Sequence, residues 1–194
     1  SHPELLDWLS KQLIADGWST KKLQKRIVLS STYRQSAAKS ADADERSRVD
    51  KLDPENRLLS RMNRKRLSFE EFRDSLLQFS ARLALSGRGR SSDLFANSGT
   101  GHRRRTMYGL IDRQFFSPVL RIFDFANPDL HNALRSETTV PQLALFSMNH
   151  PFLVQQARSV IARNEVQSQA DPLARIDQVY GLILQRAPTE RERE

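Results

Sequence analysis

The chain has 194 residues, of which 38% are hydrophobic and 28% are charged, and its formal net charge is +8 at pH 7. This length allows one domain or two small lobes with a buried core. The absence of cysteine excludes disulfides, thiolate nucleophiles, cysteine-ligated zinc and covalent haem attachment within these residues.

The charge and hydropathy patterns limit the environment of the chain. No apolar run approaches the roughly 20 residues that span a bilayer, so no membrane span is predicted. A basic balance favours anionic partners such as nucleic acid, acidic polysaccharide or anionic lipid. The alternative is that Lys and Arg only keep a helical surface soluble. The first residues, Ser1-His2-Pro3, include no start methionine, and we expect the chain to be part of a larger protein.

The first 35 residues predict a helical hairpin. Pro3 suits a first helical position, and apolar residues then recur at three- and four-residue steps up to Gly17, which predicts a helix over 3–16. Ser19 is placed to cap a second helix. Trp18 lies in the turn, where it can seal the two helices together. The apolar positions on the two facing surfaces are Leu5, Trp8, Leu9, Leu13, Leu23 and Ile27.

Residues 36–53 are rich in Ala, Ser, Asp and Arg and nearly lack large apolar residues, which predicts a linker or disordered loop. The main helical domain is then expected over 54–194, with Asp53 capping a short helix through Leu59. Ser68 and Glu71 have the spacing of a capping box, which predicts the start of a long amphipathic helix. Its apolar stripe is Phe69, Phe72, Leu76, Phe79 and Leu83.

The second half of the chain predicts further helices separated by loops. Residues 86–105 are rich in Gly, Ser and Arg and predict an exposed loop. A short extended segment is expected near 106–111 and a short helix near 117–123. Further helix starts are predicted at Thr138 or Thr139, Pro151, Asp171-Pro172 and Pro188. The predicted fold class is therefore mainly α, an irregular domain of six to eight helices with long loops.

Charged residues within the aromatic stretch are the candidate site residues. Asp112, Arg113 and Asp124 have apolar neighbours, and burying a charge is costly unless it is paired. One interpretation is a buried ion-pair network of these residues with Arg135. The other is that Asp112 or Asp124 acts as a general base or metal ligand while Arg113 or Arg135 binds an anion. The absence of an accompanying nucleophile favours the first.

No metal or hydrolytic motif is recognisable. Asp124, Asp129 and His131 match no metal-ligand spacing, and Asn127-Pro128-Asp129 is more typical of a turn. The histidines have no Ser or Cys partner at a recognisable nucleophile elbow. The sequence therefore leaves open whether the chain is an enzyme.

Two arginine-rich groups are candidate anion-binding residues, because guanidinium suits phosphate and sulfate geometry. No helix-turn-helix, zinc finger or aromatic RNA-binding signature accompanies them, so nucleic acid is disfavoured. The first group is Arg61, Arg64, Lys65 and Arg66, and the second is Arg88, Arg90, Arg103, Arg104 and Arg105.

Several sequence strings together resemble a known family. They are His2-Pro3-Glu4-Leu5-Leu6-Asp7-Trp8-Leu9, Tyr33-Arg34-Gln35-Ser36, Asp53-Pro54-Glu55-Asn56-Arg57-Leu58-Leu59, Asp112-Arg113-Gln114, Phe123-Asp124-Phe125-Ala126-Asn127-Pro128 and Glu137-Thr138-Thr139-Val140-Pro141-Gln142. From His2 to about Pro188 the chain resembles the planctomycete-type domain of unknown function. That domain is the C-terminal module of planctomycete cytochrome C domain-containing proteins.

The resemblance implies an exported or periplasmic protein with upstream domains as partners, one of them cytochrome-c-like. Any haem would then lie on those upstream domains, and no cofactor is expected in this segment. One departure affects the loop after the capping-box helix, where the family tends to have Gly-Gly-Pro. Here that loop reads Ser86-Gly87-Arg88-Gly89-Arg90-Ser91-Ser92. A site shaped by this loop would differ from the family's.

These observations favour a non-catalytic binding or interaction module of a large exported protein, with a basic surface for an anionic polymer or a partner domain. The first alternative is a polysaccharide-active enzyme that uses Asp112 or Asp124. The second alternative is a nucleic-acid binder.

Overall fold

The computed structural model describes residues 2–40, 42–87, 89–95, 103–138 and 140–193, and it is mainly helical, as predicted. The helices are α1 (Pro3–Ala15), α2 (Thr20–Val28), α3 (Ala43–Leu52), α4 (Phe69–Phe79), α5 (Pro118–Ile122), α6 (Pro141–Asn149), α7 (Pro151–Ile161), α8 (Asn164–Gln167), α9 (Pro172–Leu184) and α10 (Glu190–Arg193). The chain divides into two compact units, Ser1–Lys65 (unit 1) and Arg66–Glu194 (unit 2). No helix among the described residues is long and apolar enough to cross a membrane.

Unit 1 begins with the predicted helical hairpin. The Ser19 hydroxyl accepts a hydrogen bond from the Lys22 amide and caps α2, as predicted. Between the helices, Gly17 and Trp18 both have positive φ, 67° and 60°, and the Trp18 amide donates to the Leu13 carbonyl. This left-handed turn ends α1 and reverses the chain.

The segment predicted as a linker contains a helix instead. Over Ala43–Leu52, α3 is capped by Asp42, whose carboxylate accepts from the Asp44 amide. Acidic residues occupy its first turn and Lys51 its last, which matches the helix dipole. These local signals act without an apolar stripe, and none of the helix residues is buried. The prediction of a loop missed this helix because it relied on composition and on the scarcity of large apolar residues.

The short helix expected after Asp53 does not form either. The Asp53 carboxylate accepts from the Arg57 and Leu58 amides, at 2.8 and 2.7 Å, but residues 54–59 form turns. Asn56 and Leu59 have φ of 52° and 56°, and left-handed residues at this spacing are incompatible with a right-handed helix. The carboxylate therefore caps a turn.

Unit 2 is built on α4 and an aromatic core. The capping box of Ser68 and Glu71 is present in full, as predicted. The Phe69 ring packs edge-on against Phe123, with centroids 5.3 Å apart, and Phe123 packs edge-on against Phe146 at 5.7 Å. Such edge-to-face pairs add to the stabilisation that burial alone provides. The buried cluster is Phe69, Leu94, Leu120, Phe123 and Phe146.

A buried arginine shapes the segment predicted as extended. Thr106–Tyr108 forms a 3₁₀ turn, because Thr106 donates to Asp74 Oδ1 through both its amide and its hydroxyl, each at 2.7 Å. Arg73 donates to the Thr106 hydroxyl and to the carbonyls of Leu94 and Arg104. These contacts hold the chain in a turn against α4. The prediction of an extended segment near 106–111 was therefore wrong for Thr106–Tyr108. An isolated β-bridge joins Gly109 to Ser92.

The later helices begin at local caps. The predicted starts at Pro151 and Asp171-Pro172 are confirmed as α7 and α9, and the helix near 117–123 is confirmed as α5. By contrast, α6 begins at Pro141 rather than at Thr138. The Thr138 amide and hydroxyl instead bind a carboxylate, as described below, and Thr139 lies outside the described residues.

Candidate functional site

Asp124, one of the two candidate catalytic carboxylates, is a structural acceptor. It follows α5 with φ of 53° and accepts hydrogen bonds from the Thr138 amide, the Thr138 hydroxyl and Arg66 Nη2, at 2.7, 2.8 and 2.7 Å. Burial opposes ionisation, but the bonds from Thr138 and Arg66 outweigh it and lower the pKa of Asp124. A carboxylate with its lone pairs engaged and its pKa lowered is a poor general base.

Asp112, the other candidate, lies on the surface. Its carboxylate accepts from the Gln114 and Phe115 amides, at 2.8 and 3.3 Å, and so stabilises a turn. Arg113 beside it is exposed. Neither residue lines any of the cavities described below.

Arg135 pairs with Glu70 rather than with Asp112 or Asp124, the partners that the sequence analysis favoured. Both of its terminal nitrogens reach the Glu70 carboxylate at 2.9 Å, and its guanidinium lies 4.5 Å from the centre of the Phe125 ring. Asp124 pairs with Arg66 instead. The interpretation of one buried network over Asp112, Arg113, Asp124 and Arg135 was therefore wrong, since the structure forms two separate ion pairs.

Three of the four described arginines in the second basic group are used by the fold. Arg104 is buried, donates to the Arg90 carbonyl and lies over a tyrosine ring. Arg103 Nε donates to the Arg82 carbonyl at 3.1 Å, and Arg105 Nε lies 3.4 Å from the Asp74 carboxylate. Arg90 is exposed, and Arg88 lies outside the described residues. Loop arginines of this kind hold the backbone as well as presenting charge.

The first basic group divides between the two units. Arg61, Arg64 and Lys65 belong to unit 1, and Arg66 begins unit 2. Arg61 is half-buried, whereas Arg64 and Lys65 are exposed. Arg66 is occupied by Asp124 and by the carbonyl of Thr138.

A cavity of about 740 Å³ lies where α6 meets α7 in unit 2. It is within the size range of ligand sites, which combine apolar walls with a few polar groups. None of the described residues that line it is acidic, so it is suited to an acceptor-rich or anionic ligand. They are Phe95, Asn149, His150, Pro151, Phe152, Val154, Gln155 and Arg158.

His150 is a neutral, aromatic part of this wall. Its Nδ1 accepts from the Phe152 amide at 3.2 Å and caps α7. Its ring packs against Phe146 and Phe95, with centroids 4.6 and 5.1 Å away. Burial lowers the pKa of His150, which favours the neutral ring. Because Nδ1 is an acceptor, the remaining proton of the neutral ring is on Nε2, which is a donor.

Arg158 supplies the positive charge of the cavity. It lies two turns after Pro151 on α7, and the helical spacing places Pro151, Val154, Gln155 and Arg158 on one face. No hydrogen bond or ion pair joins the Arg158 guanidinium or the Gln155 side-chain amide to another described residue. Both groups can therefore donate to a ligand.

Sequence reasoning missed this cavity. The spacing of residues 151, 154, 155 and 158 could have indicated a mixed polar and apolar helix face, but Phe95 comes from a distant loop. Among the described residues, no three Asp, Glu, His or Cys side chains are grouped so that they could hold a metal ion.

An apolar groove of about 350 Å³ lies between α4, α6, α7 and α9, and Val154 lines both it and the first cavity. Its walls are Leu76, Phe79, Ser147, Met148, Leu153, Val154, Gln156, Ala157, Val160, Ile161, Val179 and Ile183. A third, polar cavity of about 130 Å³ lies in unit 1 beside the Lys39–Asp50 ion pair.

The family model described as PSD1, protein of unknown function (DUF1553), matches residues 1–194. The chain belongs to this family. The prediction of a domain of unknown function is therefore confirmed, and the family description names no activity or ligand. Comparison with curated proteins and with solved structures finds no match. The function of this DUF1553 chain must therefore be inferred from its own geometry.

Proposed function

We propose that this chain is a non-catalytic binding module that holds an acidic polysaccharide segment in the cavity beside His150. The observation that carries the proposal is the composition of the wall. Aromatic and apolar faces combine there with the Arg158 guanidinium and the Gln155 amide, and the described lining includes no carboxylate. A uronic acid or sulfated sugar offers both a ring face for the aromatic wall and an anion for Arg158.

The wider setting is also a proposal. The sequence strings that resemble the planctomycete-type domain support an exported parent protein with a cytochrome-c-like module upstream. In that setting a polysaccharide is a more accessible polyanion than nucleic acid. The binding module would then hold the parent protein, and any haem on its upstream domains, at an acidic polymer.

The enzymatic alternative has less geometric support. A general acid or base must reach a bound substrate, usually within a cleft. Asp112 caps an exposed turn, and Asp124 is engaged by Arg66 and Thr138. Neither carboxylate lines a described cavity.

Calorimetric titration tests the binding proposal directly. The ligands are a galacturonate trimer, a sulfated disaccharide and the neutral maltotriose, each at about 0.15 M salt, where exposed charges more than about 8 Å apart are screened. We expect binding of one or both acidic sugars and none of maltotriose. Arg158→Gln should weaken that binding at least about tenfold, since a hydrogen bond to a charged group is lost.

Arg191→Gln is the matched control, because the substitution removes the same charge from an exposed residue that does not line the cavity. Equal losses in Arg158→Gln and Arg191→Gln would show that only net charge matters. That result, or equal binding of maltotriose, would refute a specific acidic-sugar site.

The apolar groove favours a second candidate function, the docking of an upstream domain of the parent chain. Apart from Ser147 and Gln156, the described residues that line the groove are apolar, and Met148 among them is 75% exposed. Contiguous apolar surface of this kind is typical of protein interaction sites. If an upstream domain covers the groove, the backbone amides of α6 and α9 should exchange hydrogen more slowly in the full parent protein than in this chain alone. Unchanged exchange at both helices would argue against this docking.

A further inference from the structure

The outward face of α2 in unit 1 has three lysines beside exposed apolar residues. Helical spacing places Lys21, Lys25 and Val28 on one face, at positions i, i+4 and i+7. Lys22 and Leu29 are seven residues apart and flank the same face. All five are exposed, and the helix Thr20–Val28 contains no acidic residue. The strongest amphipathic and basic character in the hairpin is therefore on this short helix.

A tryptophan immediately precedes the cap of the same helix. Trp18 is 69% exposed in the turn before α2, where the left-handed φ of 60° is held by the bond from its amide to Leu13. A bulky residue seldom adopts this conformation. On α1, Trp8 is also exposed, at 47%. Indole rings have an apolar body and one polar N–H group, a combination that suits the boundary between water and lipid.

We propose that the α2 face, defined as Trp18, Lys21, Lys22, Lys25, Val28 and Leu29, docks on the surface of an anionic lipid bilayer. The lysines pair with anionic headgroups while Trp18, Val28 and Leu29 enter the headgroup and acyl boundary. A basic helix with exposed Trp and aliphatic residues has the composition of an interfacial anchor. This surface is in unit 1 and does not depend on the His150 cavity in unit 2.

The shape of the surface favours a membrane over a protein helix. A docked helix is usually held in an apolar groove. No residue of the hairpin lines any of the three cavities described above. A helix face outside these three cavities can lie against a flat bilayer, and its lysines, which form no ion pair with another described residue, complement the charge of the bilayer. Lysine stems also extend along apolar surface while their ammonium groups stay in water.

Intrinsic tryptophan fluorescence of the full chain provides the test, because the chain has two Trp residues and both lie on the hairpin. The probes are vesicles of phosphatidylcholine alone and vesicles with about one-third phosphatidylglycerol. We expect a blue shift only with the anionic vesicles. In a Trp8→Phe variant, which leaves Trp18 as the single reporter, the shift should persist.

Charge variants identify the face. The triple variant Lys21→Gln, Lys22→Gln, Lys25→Gln should lower vesicle partitioning about a hundredfold. The control triple variant Arg48→Gln, Lys51→Gln, Arg57→Gln removes the same charge from exposed positions outside both arginine-rich groups and should change partitioning little. Both variants are checked for helix content by circular dichroism.

Three results would overturn the proposal. The first is equal partitioning of the two triple variants, and the second is an equal blue shift with neutral vesicles. The third is the same shift with soluble dextran sulfate or polyglutamate, which would show that any polyanion or acidic protein binds the face.

A Trp18→Asn variant keeps a residue that tolerates positive φ, and it should weaken partitioning with its helix content intact.

Discussion

The two units of this chain are stabilised in different ways. Every described hydrophobic residue that is buried lies in unit 2, from Phe69 to Val166. In unit 1 the described residues bury only Asn56, a polar side chain that is 2% exposed. The comparison shows that one chain can combine an aromatic core with a segment held by helix caps and turn hydrogen bonds.

This difference has consequences for function. Local stability follows the burial of apolar contacts, so we expect unit 2 to resist unfolding more than unit 1. A rigid unit 2 can keep Arg158 and His150 in place for a ligand. Unit 1 instead leaves its apolar residues available at the surface, where they can take part in binding.

The largest effect is expected in the aromatic core. Phe69→Ala removes a ring that is almost fully buried and contacts Phe95 and Phe123, and it should lower the free energy of unfolding by about 3–5 kcal/mol. Urea unfolding followed by circular dichroism measures this change. Phe115→Ala, at a ring that is 80% exposed, is the control and should change stability by less than about 0.5 kcal/mol. Equal effects of the two variants would contradict the assignment of the core.

Arg73 should have the next largest effect, because it is a buried charge that holds loop carbonyls. Its side chain is 1% exposed, and burial lowers its pKa to about 10, so it stays charged at neutral pH. Arg73→Leu leaves the carbonyls of Leu94 and Arg104 without this donor and should cost about 3 kcal/mol. Arg73→Lys keeps the charge but loses the forked geometry.

If Arg73→Lys restored full stability, the charge alone would be sufficient and the hydrogen-bond geometry unimportant. Urea unfolding of the two variants separates these possibilities. We expect Arg73→Lys to recover only part of the loss.

Local chemistry explains which parts of the fold could be predicted. The caps at Ser19, Ser68 and Asp171 depend on residues two or three positions away, and the sequence shows those directly. By contrast, the Arg66–Asp124 pair joins residues 58 positions apart, and no sequence pattern indicates such a partner. Asp124 was therefore singled out correctly as an unusual charge, but its role was not predictable.

The cavity was beyond prediction for the same reason. Phe95 and His150 meet only in the folded chain, with ring centroids 5.1 Å apart. In unit 1, the left-handed φ of Asn56 and Leu59 turned a predicted helix into turns, and single residues give little warning of this. Tertiary contacts and backbone geometry, rather than apolar periodicity, decide these regions.

Asn56 provides the matching test in unit 1. Its Nδ2 donates to the Arg61 carbonyl and to Asn63 Oδ1, at 2.7 and 2.9 Å, and its Oδ1 accepts from the Ser60 hydroxyl at 3.0 Å. Asn56→Ala should destabilise unit 1 by about 2 kcal/mol, since buried partners lose their bonds. Tryptophan fluorescence during urea unfolding reports this, because both Trp residues are in unit 1.

Asn56→Gly separates the two causes of that loss. Glycine adopts the φ of 52° without strain but makes no side-chain bond. We expect Asn56→Gly to be less destabilising than Asn56→Ala, although its free energy of unfolding should still be lower than that of the original chain. A Gly variant as stable as the original would show that only backbone conformation matters there.

A smaller effect is expected at Asp124. Asp124→Asn keeps a residue that tolerates positive φ but removes the charge facing Arg66, and it should cost about 1 kcal/mol at pH 7. Because the folded state lowers the pKa of Asp124, its contribution is present above the unfolded value of about 3.9. It is lost as pH falls through the folded pKa. Urea unfolding as a function of pH should therefore show the largest difference between the variants at pH 7, and this difference should shrink as pH falls below about 3.9.

The smallest effect concerns His150, which is half-buried at the start of α7. Burial lowers its pKa, so the unfolded state takes up a proton first, near pH 6.5. The stability of unit 2 should consequently fall as pH falls through that value toward the folded pKa of His150. His150→Asn retains a capping side chain but does not titrate, and the other three histidines remain in both proteins. The difference between their unfolding free energies, measured from pH 8 to pH 5, isolates His150, and parallel curves would mean that its ring is not held neutral by the fold.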